Sequence, residues 1–523
     1  MGSNSRTANS IKNILSGFLG QFITIILGFI NRTVFINCLA TEYLGVNGLF
    51  TNILSMLSLA ELGIGTAIIY ALYKPLADKD EKQISKLMNF YSKAYISIGI
   101  VIFILGIALM PFLHLIVRNE PNIVESIYVI YFIFLFNTAI SYFFSYKSSL
   151  IIADQKNYIV SLIGYGVNIF QTTFQIIVLY TTKNFLLYLI VQSICVIINN
   201  ILISVIADKK YPFIKENKKL KLSKNEIKEL ISNVKALVIV KISGILVNNT
   251  DNIIISYFSG LKTVGLSSNY TLLINIINTV LNQLFSGITA SVGNLNAKED
   301  DNVKKDFFDL LNFCNFWLYG FSSICIVLLI NDVIRLWIGD KFILPIEIPV
   351  ILAVNFYMVG MQSAVWTYKN TMGIFKQGRY ILFFTAGINL VLSIYLGNKM
   401  GLFGILLATA IARLVTNTWL DPYIVYKYGL NSNPLEYLFK YIKYIAILVF
   451  TGGITWFLIN LININMYINF IIGLGICLIV PNSIFLLLFF RSKEFKYLFS
   501  KLVQIISYKD HILHHKNKKS CRL

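Results

Sequence analysis

Runs of about twenty apolar residues, separated by short polar connections, recur along this chain from end to end. About 20 such residues are needed for a helix to cross the hydrocarbon core of a bilayer. On that length the sequence predicts fourteen spans, over residues 13–36, 46–72, 91–117, 125–145, 158–181, 185–207, 236–258, 264–291, 307–333, 348–367, 380–397, 401–424, 441–462 and 467–490. Of the 523 residues 56% are hydrophobic and only 13% charged, against about 25% charged in soluble domains. The expected fold is an all-α integral membrane protein, since a helix satisfies its own backbone in lipid.

The opening “MGSNSRTANSIKN” is polar and leads into an apolar run longer than a signal-peptide core, with no small-residue cleavage site, so it is expected to stay as a span. Gly2 would suit myristoylation, but Arg6 stands where Ser or Thr is needed. Six scattered cysteines without a C-x-x-C pair predict neither a disulfide framework nor a zinc site.

The formal charge of +20 lies in the connections and is a topology signal before it is a nucleic-acid footprint; no nucleic-acid partner is expected. Even-numbered connections and the two termini hold 36 Lys and Arg, the odd-numbered connections 6. That asymmetry predicts both termini in the cytoplasm.

One polar stretch occurs twice. “YKSSLIIADQKNYI” from Tyr146 and “YKNTMGIFKQGRYI” from Tyr368 agree at six of fourteen positions, 222 residues apart. “EYLGVNGLF” lies over “KTVGLSSNY”, with Gly45 on Gly265, and “LADKDEKQ” over “NAKEDDNV”, both at an offset of 220. A nearly constant offset marks an internal duplication. Each copy holds six spans, so both enter the membrane in the same orientation, related by an axis along the membrane normal. The expected organisation is two parallel six-helix lobes plus two extra C-terminal helices: an N-lobe over 1–230 with a basic linker, a C-lobe over 231–430, spans 13 and 14 over 431–490, and a basic tail over 491–523. Two such lobes suit alternating access by rocking.

Taken in order, “RTVFINCLATEYLGVNGLF”, “LAELGIG”, “DNIIISYFSGLKTVGLSSNY” and “VIRLWIGDKFILP” resemble the polysaccharide-transport branch of the multidrug/oligosaccharidyl-lipid/polysaccharide (MOP) exporter superfamily, over nearly the whole chain. The resemblance implies a flippase that carries undecaprenyl-diphosphate-linked oligosaccharide from the inner to the outer leaflet of a bacterial cytoplasmic membrane, for a capsule or O-antigen-like glycan. Its implied partners are that lipid-linked glycan, membrane lipid, a polysaccharide polymerase and a chain-length regulator. The alternatives are a cation-coupled multidrug exporter of the same fold, or a membrane enzyme such as a polysaccharide polymerase or glycosyltransferase.

Ionisable groups inside spans cost a few kcal/mol on insertion scales and face a bundle interior or a wet cavity. Arg32, near the outer end of span 1, has Asp251 as its repeat mate across one gap; the two are expected to form an ion pair, as a gate or as static packing. Arg32, as an alternative to that pair, and Lys241 and Arg413 are candidates to meet the diphosphate, with snorkelling open for Lys241 and packing against spans 13 and 14 for Arg413. Glu61 in “LAELGIG” is a candidate for a coupling H+ or Na+, or for a helix–helix hydrogen bond. Asn275, Asn278 and Asn282 form one helical stripe suited to sugar hydroxyls or to interhelical contact. The tail's “HILHH” is read as a basic segment on the anionic leaflet, with metal binding as its alternative. No phosphate-binding G-x-x-x-x-G-K-[ST] loop occurs, so no nucleotide cofactor is expected, and energy is expected from an ion gradient or product removal.

Overall fold

The computed structural model describes residues 3–61, 64–117, 123–217, 220–228, 230, 250–286, 288–374, 377, 378, 380–462 and 464–500. Among them no strand occurs, and helices follow one another across short connections. The helices begin and end where polarity returns. Asp80 accepts from the Gln83 N–H at 2.9 Å and Asn184 from the Leu187 N–H at 3.0 Å, each giving a first-turn donor a partner.

Eleven helices are long and apolar enough to cross a membrane. Ile381–Gly429, at 49 residues, would be about 74 Å long if straight, more than two passes' worth of hydrocarbon. It breaks at Gly401, whose φ of 57° suits a residue without a Cβ. Asn389 and Thr409 then bond across the two arms at 2.8 Å. Asp251–Ser286 likewise breaks at Gly260. Span 2, expected as one run, is instead divided: Thr41–Leu57, a tight 3-10 turn Ser58–Glu61, and Ile64–Asp78. The Ser58 hydroxyl bonds the Leu54 carbonyl at 2.9 Å where the first piece ends. With these breaks counted, the described helices follow the expected order of passes, span 7 being described only from Thr250 onward.

By contact the chain forms two compact units. The first holds Met1–Leu272, Leu336–Ile343 and Leu382–Ala412; within it span 1 packs on span 5, and span 4 on spans 3 and 6. Its core centres on Phe50, fully buried against Tyr131 and Phe134. The second holds Leu273–Arg335, Leu344–Ile381 and Arg413–Leu523, with an aromatic core in which Phe308 meets Tyr368 and Tyr426 edge-on.

The duplication has a physical counterpart in the first unit. A Cβ on Gly45 would fall 2.0 Å from the Leu261 carbonyl oxygen, and one on Gly265 2.4 Å from that of Thr41. A shift of 220 carries Thr41 to Leu261 and Gly45 to Gly265, so the contact maps onto itself. The doubled “YK” has a role too. Lys147 pairs with Asp208 at 2.7 Å and Lys369 with Asp421 at 2.5 Å; in each copy a lysine ending the fourth helix holds the carboxylate ending the sixth.

The linker after span 6 is strapped to the start of span 3. Asn89 donates to the carbonyls of Asn217 and Leu220 at 2.9 and 3.1 Å, and Gln83 to Glu226 at 2.7 Å. Ser223 and Glu226 exchange backbone and side-chain bonds, the reciprocal capping of a helix start. Ser223, first through its side chain and then through its N–H, and Gln83 hold the Glu226 carboxyl down at about 2.

Candidate functional site

Arg32 projects from the helix Ser3–Cys38. Its Nε donates to Oδ1 of Asn269 at 2.9 Å and its Nη2 to the Ser268 hydroxyl. Both partners are neutral, and among the described residues no carboxylate pairs with it. Beside it Asn31 donates to the Tyr188 hydroxyl at 2.9 Å.

The expected Arg32–Asp251 ion pair is therefore corrected. Asp251 lies nine residues before the Gly260 break and Asn269 nine after it, which sets both about 13 Å along their arms. The partner that Arg32 has, Asn269, lies on the second arm.

Asp251 belongs to another cluster. Its Oδ2 accepts from the Thr409 hydroxyl at 3.3 Å; Thr409 accepts from Asn389 at 2.8 Å, and the same amide reaches Ser393 at 3.4 Å. Asn389, Ser393 and Thr409 are buried, and among the described residues no group donates to the Asn389 carbonyl oxygen. A carboxylate, an amide oxygen and two hydroxyls form a donor set for a hard monovalent cation or a proton.

Glu61 ends the turn that divides span 2. Tyr95 of span 3 donates to its Oε1 at 3.2 Å and Tyr142 of span 4 to its Oε2 at 3.4 Å. The carboxylate borders a cavity of about 360 Å³ that Ser141, Ser145 and Ser149 also line, with no basic side chain among the described residues of its wall. Gly65 makes room for it: a Cβ there would lie 2.7 Å from both Glu61 Oε1 and the Tyr95 hydroxyl. The group is thus both an interhelical tie and an acid in a hydroxyl-lined space.

On span 8, Asn275 and Asn282 are exposed and Asn278 partly so, and Asn282 accepts from the Tyr319 hydroxyl at 3.4 Å. Arg413 donates to Asn355 of span 10 at 3.4 Å. Lys241 and the three tail histidines, His511, His514 and His515, lie outside the described residues. Among the described residues no group of three His, Cys, Asp or Glu is placed to hold a metal. Sequence reasoning missed Asn389, Thr409, Tyr95 and Tyr142. Helical spacing held a trace of two of these clusters: Asn389 and Ser393 are four apart, and Ser141, Ser145 and Ser149 repeat at four.

Residues 10–292, more than half of the chain, match the family model for polysaccharide biosynthesis proteins. The chain belongs to that family. No curated protein matches it in sequence. Among solved structures this polysaccharide biosynthesis family member is similar in fold to the lipid II flippase MurJ in an inward closed conformation, at 17% identity and a TM-score of 0.65, over 91% of this chain and 99% of that one. It is similar also to an inward-facing multidrug resistance MATE family transporter of the MOP superfamily, at 13% identity and 0.61, over 77% and 94%. A MOP superfamily transporter from Pyrococcus furiosus gives 13% and 0.52, over 80% and 96%. The fold is that of MOP transporters.

Proposed function

We propose that this family member is a flippase that moves undecaprenyl-diphosphate-linked oligosaccharide from the inner to the outer leaflet of a bacterial cytoplasmic membrane, by alternating access, for a capsule or O-antigen-like glycan. Arg32 carries the reading. Its hydrogen bonds to Ser268 and Asn269 fix the guanidinium without cancelling its charge. A planar cation held in a span favours a phosphate-bearing ligand, which it meets through paired charge-assisted bonds. The accessible amides Asn275, Asn278 and Asn282 supply both donors and acceptors for sugar hydroxyls. Lys241 is a second candidate for the diphosphate, whereas the bond from Arg413 to Asn355 gives that residue a packing role.

Coupling by H+ or Na+ has two candidate places, Glu61 and the oxygen cluster of Asp251. The 36 to 6 charge asymmetry supports cytoplasmic termini, and so turns the Arg32 end of span 1 outward. A polymerase and a chain-length regulator would act on the delivered glycan, and the chain itself would perform no covalent chemistry. A drug exporter of the same fold has less need of a bound cation and an amide stripe.

In cells that depend on this protein for a surface glycan, Arg32→Gln should cut export at least tenfold, and Arg32→Lys should keep part of it. Removing a charge eases insertion, so protein levels should hold. Full export by Arg32→Gln would remove the reading.

A further inference from the structure

The stretch “VIRLWIGDKFILP” ends the helix Asp301–Ile338 and continues into the loop that follows. Its last turn and the following loop, Leu336–Ile343, group with the unit that contains span 1. Trp337 makes the connection. Its indole N–H donates to the Thr33 hydroxyl at 2.7 Å, and its ring stacks on Phe29 with centroids 4.1 Å apart and planes 29° from parallel. Thr33 spends its own proton on the Phe29 carbonyl at 2.8 Å, which leaves its oxygen to accept. Phe29 and Thr33 are one turn apart, and Arg32 adjoins Thr33. The same turn of span 1 is therefore held to the second copy twice, by Trp337 and by the bonds from Arg32 to Ser268 and Asn269.

We propose that Leu336–Ile343 is a latch on the outer side, with Trp337 as its catch. Seated on Phe29 and Thr33, the indole keeps the outer ends of the two copies together beside Arg32; it must leave span 1 whenever the outer side opens. One neutral hydrogen bond and one ring stack make a reversible fastening, since each is weak on its own. An amphipathic indole is also suited to stay at the interface when released. The latch rests on the alternating access and orientation proposed above.

The test uses the full chain in lipid nanodiscs, with native cysteines replaced and spin labels at Thr181→Cys, at the outer end of span 5, and Lys399→Cys, between spans 11 and 12, both exposed. Without any glycan, the unaltered latch should give mainly one short distance. Trp337→Ala should raise the longer population at least threefold, and Trp337→Phe, which keeps the stack, should raise it less. Thr33→Val changes shape little and removes the acceptor, so it should also raise that population and stands in if Trp337→Ala does not fold. A shift in Trp337→Ala alone still supports the latch, carried by the stack. If Trp337→Ala and Thr33→Val both match the unaltered protein while pH or Na+ moves all three between two distances, the latch is wrong and alternating access stands. If no sample shows a second distance between pH 5 and 8, with or without Na+, alternating access fails and takes the latch with it.

Discussion

Glu61 is tied to two other spans and has no cation beside it among the described residues, and its two roles separate on substitution. Glu61→Gln keeps a carbonyl acceptor and the side-chain shape but ends proton or cation uptake. In proteoliposomes, transport driven by a pH or Na+ gradient should fall at least tenfold, with the melting temperature changed by only a few degrees. Undiminished gradient-driven transport in Glu61→Gln would leave only the interhelical tie. Arg32, Glu61 and Asp251 were legible in the sequence because a charge inside an apolar run stands out. Their partners were not. Asn269, Asn389 and Thr409 are neutral and far away along the chain, and only the breaks at Gly260 and Gly401 decide which arm presents which side chain to them.

Among the elements, the two lysine clamps differ in a way that can be measured. Asp421 is 1% exposed and Asp208 19%, and Asp208 has a second partner in Lys215 at 3.0 Å. Removing one member of a buried pair strands the other at a cost of about 3–5 kcal/mol. Lys369→Met should therefore lower the melting temperature in detergent by several degrees, Lys147→Met by less, and Asp421→Leu added to Lys369→Met should recover much of the loss. An equal effect of the two lysine substitutions would show that burial does not set the difference. The linker strap has a pH signature. Glu226 is held at about 2 in the folded chain, below the ordinary 4.3 or so, so its contribution is complete above that ordinary value and disappears as pH falls through about 2. Pepsin should cut between Leu220 and Leu222 faster at pH 2 than at pH 4 by more than its own activity changes on an unstructured peptide; equal relative rates would detach Glu226 from the strap. The repeated lysine was visible in the sequence, but its aspartate partners were not, because they sit at offsets of 61 and 52 residues that the two copies do not share.

For the molecule as a whole, the duplication was readable from an offset alone, and Gly45 against Leu261 with Gly265 against Thr41 gives it a self-consistent contact. Fourteen passes were readable from length and polarity. The division of span 2 was not, since Ser58 to Glu61 is no more polar than many helical stretches and a 3-10 turn leaves little trace in composition. A duplicated helical scaffold with a firmly held cation in span 1 favours an anionic lipid-linked cargo. The measurement closest to that claim is leaflet exchange itself, in liposomes holding the purified full chain and undecaprenyl-diphosphate-linked oligosaccharide, read by lectin access to the outer leaflet. Exchange should run at least tenfold faster than in protein-free liposomes and be lost in Arg32→Gln. Exchange no faster than without protein, or undiminished in Arg32→Gln, would contradict it.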